Sequence, residues 1–187
     1  MGDGWVYWYR RSMNATEIGD QLRRFNELGF VLENGHSGRI TMLDEVGEQV
    51  PTTLEGLIAE LCSGMDVSYQ IWFPGTSYDV YCRLQRLSES TILQSFGLNG
   101  LKTEERRQVQ AVVWDAFARS LAESQALVVD IFNRTEEVVD WNAAVAEGVI
   151  PTVGRPDLVA MRVRAPTRVS PRWLLDEFRL VSYREVE

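Results

Sequence analysis

Histidine and lysine are almost missing from this chain. Its 187 residues include one histidine, His36, and one lysine, Lys102. A Ser-His-Asp or Cys-His nucleophile system would have to recruit His36, and no G-x-S-x-G turn is present. A transition-metal centre wants two or more imidazole or thiolate ligands. His36 stands alone in the turn GHSG, with Asp44, Glu45 and Glu48 the acids nearby in sequence. An exposed turn histidine is the simpler reading. There is no G-x-x-x-x-G-K-[ST] and no G-x-G-x-x-G to cradle a phosphate, and DEVGE (44–48) lacks the ligand spacing of an EF-hand. No metal and no cofactor are expected.

Cysteine is scarce too. Cys62 and Cys82 both fall on apolar faces, one of a helix and one of a strand, which predicts two buried reduced thiols. No apolar run reaches the roughly 18 residues of a membrane span. The stretch MGDGWVYWYRR carries its charge after the apolar residues and lacks a small-residue cleavage site, unlike a secretory leader. A cytosolic protein is expected. Positive charge is in deficit, with 19 basic against 27 acidic residues and a net charge of -8. That excludes a large nucleic-acid or anionic-membrane surface. The near-total preference for arginine over lysine suggests GC-rich codons and a bacterial source.

What is present is a well-patterned globular sequence, 45% hydrophobic and 25% charged. Residues 5–10 alternate Trp5, Tyr7, Tyr9 against Val6, Trp8, Arg10, the period of a strand. This reads as a first core strand rather than a stacking platform. Asn14 and Glu17 form a capping box before a helix carrying Ile18, Leu22, Phe25 and Leu28. FVLEN (30–34) and RITML (39–43) predict a hairpin around GHSG. Thr52 and Glu55 predict a second capping box, before a helix with Leu54, Leu57, Ile58, Leu61 and Cys62 inward. Three strands follow as an antiparallel meander: 66–73, 78–87 and 91–98.

The clearest helix spans 103–123, with Val109, Val112, Val113, Ala116 and Phe117 on one face. ALVVDIF (126–132) is an unbroken apolar run, as in a central strand. A helix over 136–147 should bury Val138, Trp141 and Val145. The tail holds strands at 158–164 and 178–186, with a short helix start at Ser170-Pro171. The fold class is α+β: a mixed, largely antiparallel sheet or sheets of about nine strands, with four or five helices packed on one side. It is read as a single compact domain over 1–187. A version with two ferredoxin-like halves would divide near 64–66.

Three features are candidates for binding. The first is aromatic: Trp72 and Tyr81 fall opposite the apolar stripes of neighbouring strands and would stand close together on a wet face. Trp8, beside Arg10, joins them if its face sees solvent. The second is acidic: Glu136, Glu137 and Asp140 cluster before a helix, near Asp130 at a strand end. Such acids can hold a ligand or serve as acid and base, or simply favour a helix dipole. The third is basic: five arginines between 155 and 172, of which Arg162 and Arg164 share a strand face.

The profile predicts a non-catalytic protein-binding module of the acidic immunity-protein or antitoxin kind, neutralising a basic partner such as a toxin or enzyme. One alternative is a small-molecule binder or enzyme with a carboxylate-lined cleft between sheet and helices. Another is an assembly protein that forms a homodimer through the sheet.

Overall fold

The computed structural model describes residues 4–64, 66–74 and 78–162, and the backbone of 178–182. The chain is α+β, with one antiparallel sheet and four helices among the described residues. Its elements run β1 (Trp5–Arg11), α1 (Ala15–Glu27), β2 (Ile40–Leu43), β3 (Gln49–Thr52), α2 (Leu54–Ser63), β4 (Val67–Trp72), β5 (Asp79–Arg86), β6 (Thr91–Gly97), α3 (Thr103–Arg119), β7 (Ser124–Asp130), α4 (Trp141–Glu147), β8 (Leu158–Arg162) and β9 (Phe178–Ser182). The strands lie side by side as β3-β2-β4-β5-β6-β1-β7-β8-β9. Two separate half-sheets are therefore replaced by one continuous sheet. Among the described residues no helix is long and apolar enough to cross a membrane.

The strand that comes first in sequence sits in the interior of the sheet. β1 pairs with β6 on one side, Trp5 opposite Gly97, and with β7 on the other, Trp5 opposite Asp130. This explains why both sets of alternating residues in β1 are bulky: neither edge meets water, one face is covered by helices and the other is covered over Tyr9. Val6 and Trp8 point to one face with Leu127 and Val129 of β7, while Tyr9 points to the other with Ala126 and Val128.

The two faces are covered differently. On the first, α1, α2 and α3 bury Ile18, Leu22, Phe25, Leu57, Leu61, Val109, Val113 and Phe117 against the main core. On the second, α4 and the segment before it place Val139, Trp141 and Ala144 over Tyr9, Leu93, Val128, Val159 and Met161. The helices thus occupy both sides, not one, and the second face is covered mainly over β6, β1, β7 and β8.

Several local expectations are corrected. Residues 30–34 form isolated bridges, Val31 with Trp72 and Glu33 with Ile40, while the hairpin partner of β2 is β3. Asn34 instead folds the GHSG turn, its side chain accepting from the backbone amides of His36 (2.8 Å) and Ser37 (3.1 Å). The cap of α2 is Thr53, which accepts from the Gly56 amide, one residue later than expected. Leu54 is consequently exposed. Cys62 is exposed while Cys82 is buried. α3 ends at Arg119, and Ser120 to Glu123 turn directly into β7. The Asn14–Glu17 capping box of α1 is present in full. The expected helix start at Ser170-Pro171 lies outside the described residues.

Candidate functional site

Along β4, β5 and β6 the alternation leaves one row facing the core and the other facing away. Val80, Cys82 and Leu84 enter the main core, so Asp79, Tyr81, Arg83 and Gln85 point to the second face. α4 stops short of β4 and β5. Between its first residues and the exposed row lies an open groove of about 380 Å³. Its floor is aromatic, from Trp5, Tyr7, Tyr9 and Tyr81, and its far wall carries Glu136 and Asp140.

A glycine sets the floor. Gly97 of β6 stands opposite Trp5 on one neighbour and Tyr81 on the other. A Cβ placed on it would come 3.3 Å from the Trp5 ring and 3.4 Å from the Tyr81 Cβ. The missing side chain lets the two rings close over the strand in an edge-on pair, centroids 6.3 Å apart. Trp5 also lies parallel to Tyr7, the next residue on the same strand face, at 6.1 Å and an interplanar angle of 6°. Trp5, Tyr7 and Tyr81 are half-buried. The Tyr81 hydroxyl shares a 2.8 Å hydrogen bond with Ser68, and the Tyr9 hydroxyl donates to Asn142 Oδ1 at 2.9 Å.

The acidic wall is held by the residues between β7 and α4. Asp130, buried at the end of β7, accepts from the amides of Arg134 and Thr135 (both 2.8 Å) and from the Thr135 hydroxyl (2.7 Å). That hydroxyl in turn accepts from Trp141 Nε1 at 2.9 Å. Arg106 of α3 donates to the Ile131 carbonyl from the other side. The turn so braced presents Glu136, whose Oε2 accepts from Asn133 Nδ2 at 2.5 Å, and ends at Asp140, whose Oδ1 caps α4 through the Ala143 amide. Asp130 is therefore a brace rather than an acid–base group. The expected helix over 136–147 begins only at Trp141, which leaves Val138 56% exposed.

The electrostatics of the groove are those of a site short of positive charge. The Tyr7 phenol is pushed up to about 12, by burial first and then by the charges of Glu136 and Asp130. Tyr9 is pushed up further, by burial, Tyr7 and Asp140. Arg83 is the cation on this stretch, and Asp66 holds it through a two-point ion pair, Nε to Oδ1 at 2.7 Å and Nη2 to Oδ2. That contact raises the Arg83 pKa, with the Asp66 hydrogen bonds as the main cause.

The other residues singled out from sequence fall elsewhere. Trp8 is 0% exposed and lies on the opposite face, its Nε1 donating to Ser124 Oγ at 2.9 Å. It is core, because α3 covers its side of β1 and Phe117 meets it edge-on. Arg10 stacks on it at 4.4 Å and is 4% exposed. Burial pushes that guanidinium down to about 10, and Gln21 accepts from it at 3.2 Å. Trp72 is 5% exposed, so the solvent-facing place expected for it is not found. It ends β4, where its backbone exchanges two hydrogen bonds with Val31. Arg162 donates to the Leu121 carbonyl at 2.7 Å, in the turn between α3 and β7. It lines a separate cleft of about 430 Å³ with Arg11, Thr91 and Gln125. Arg164 lies outside the described residues. Glu137 is exposed, outside the groove lining.

Tyr81, Glu136 and Asp140 are thus brought together, and Trp5, Tyr7, Arg83 and Gly97 join them. The sequence signal for Trp5 and Tyr7 was the doubled aromatic alternation of β1, which reads equally well as core. Among the described residues no group of three or more His, Cys, Asp or Glu is placed to hold a metal ion. No protein-family model matches the chain, and neither a curated protein nor a solved structure is significantly similar to it.

Proposed function

We propose that this protein is a binding module that docks a basic partner protein on the aromatic groove of its sheet. The observation that supports the reading most is the groove itself: half-buried Trp and Tyr rings on rigid strands, beside exposed carboxylates on a braced turn. Tryptophan and tyrosine supply contact area at low entropic cost and dominate interface energetics. The site sits on paired strands, so it is organised before a partner arrives. With a net charge of -8, the molecule attracts a cationic partner at long range. Neutralisation of a toxin or enzyme, as bacterial immunity proteins and antitoxins perform it, is the biological role that fits this chemistry.

The test is site-specific photo-crosslinking in extract of the source cells. A photoreactive phenylalanine replaces Tyr81 in one preparation and Cys62, exposed on the helical side, in another. The expected result is one basic protein captured from position 81 and not from position 62. The purified captured protein should then lose its activity when the unmodified chain is added. Capture of a second copy of this chain, equal capture from both positions, or an unaffected partner activity would each overturn the reading.

A further inference from the structure

We infer that the groove is a guanidinium site: it takes an arginine side chain, in preference to lysine, as the anchor of the partner. This rests on the docking surface proposed above and adds the chemical group that surface recognises.

The floor offers ring faces and the wall offers carboxylates. A cation over Trp or Tyr is attracted by the ring quadrupole, and a planar guanidinium can also stack flat on it. Trp5 and Tyr7 are stacked with parallel rings on one strand face, so a flat group can continue the stack. Tyr81 closes the end of the floor edge-on. A guanidinium has five donors and needs acceptors around its rim. Glu136 supplies a carboxylate held from one side by Asn133, and Asp140 a second, one of whose oxygens is engaged at the α4 cap. Glu136 and Asp140 line the same groove as Trp5, Tyr7 and Tyr81, which puts both carboxylates beside the aromatic floor. The one cation in the lining, Arg83, is already neutralised by Asp66. The groove therefore combines a stacking surface with unmatched negative charge. A lysine ammonium would satisfy the charge but not the stacking or the multiple donors.

The molecule itself shows the same arrangement elsewhere. Arg10 lies on the Trp8 ring at 4.4 Å with a side-chain amide oxygen as acceptor. That internal pair shows that this sheet accommodates guanidinium on tryptophan on its other, buried face.

The experiment is an NMR titration of the full chain, following the indole N–H of Trp5. The probes are blocked tripeptides, acetyl-Gly-Xaa-Gly-amide, with arginine, lysine or citrulline at the centre. Citrulline keeps the shape of arginine and removes its charge. The arginine peptide should shift the Trp5 signal in a saturable way and bind roughly fivefold more tightly than lysine, with citrulline weaker still. Glu136→Gln should weaken the arginine peptide by a similar factor. Tyr81→Leu, which removes a ring and keeps apolar bulk, should reduce the preference for arginine over lysine. Equal response to arginine and citrulline, or no saturable response in a folded protein, would overturn the inference. A captured partner with no arginine preference would sink this inference alone. Arginine binding with no protein captured at position 81 would support the guanidinium site and sink the docking reading instead.

Discussion

At the scale of single residues, the second face is governed by a glycine and a phenol. Gly97 is needed for its missing side chain, not for an unusual backbone. Gly97→Ala places a Cβ in tight contact with Trp5, and valine adds two methyl groups where the ring already lies. Gly97→Val should cost about 1–3 kcal/mol by overpacking, and urea denaturation measures it. The same variant should separate Trp5 from Tyr81, seen as a change in tryptophan emission, while Gly97→Ala stays close to the parent.

Tyr7 predicts a pH dependence. Its folded pKa is raised from 10.0 to about 12, so the folded chain holds the phenolic proton more tightly than the unfolded chain does. That contribution to stability is present in full below pH 10 and is lost as the pH rises through about 12. Unfolding in urea between these limits should show a steeper loss for the parent than for Tyr7→Phe. Equal slopes would show that the phenol is solvated as in water.

At the scale of elements, the turn between β7 and α4 is the part that positions the acidic wall. Asp130 accepts three hydrogen bonds from it, two from backbone amides that would otherwise be stranded at the end of the sheet. Asp130→Ala should cost about 2–3 kcal/mol, since a charge-assisted acceptor is lost and its donors are left unmatched. Hydrogen exchange should accelerate across residues 131–140 before the rest of the sheet. If exchange accelerates uniformly, Asp130 supports the whole core rather than this turn.

The same region shows what was legible in sequence. β1, α1, α3 and β7 could be read because their apolar periods run for several residues and their caps are local. Val109, Val112, Val113, Ala116 and Phe117 all face the core as their spacing requires. The start of α4 was misread because Glu136, Glu137 and Asp140 look like a first helical turn. Here a competing turn decides: Asp130 claims the amides of Arg134 and Thr135, which ties residues 134–135 to the end of the sheet and moves the cap to Asp140. The hairpin expected across GHSG is present only as one bridge, Glu33 with Ile40. Asn34 gives residues 34–38 a turn, but the pairing goes to the weakly apolar QVPT of β3. As for the groove, Tyr81, Glu136 and Asp140 could be singled out as residue types. Their convergence with Trp5 and Tyr7 could not, because it depends on β1 lying beside β6 and on a glycine between two rings.

At the scale of the whole molecule, charge and shape act together. A chain with 27 acidic and 19 basic residues projects a negative potential, and a basic partner would be steered toward it before contact. Once a partner is identified, its association rate should fall roughly tenfold or more as salt rises from about 0.05 to about 0.5 M. Its dissociation rate should change far less, because ring contacts in the groove are not screened. Stopped-flow mixing measures both. A dissociation rate with the steeper salt dependence would place the binding energy in surface ion pairs and not on the aromatic floor.

The place of β1 has a consequence for how the molecule is made. Its two neighbours, β6 and β7, arrive about 85 and 120 residues later in the chain. At synthesis rates of roughly 5–20 residues per second, the strand leaves the ribosome on the order of ten seconds before its second partner exists. Until β6 is made Trp5, Tyr7, Trp8 and Tyr9 have no neighbouring strand, and until β7 is made β1 remains an edge. The segment is thus made well before the strands that flank it, so a chaperone that shelters WVYWY during translation would govern how much protein reaches the folded state.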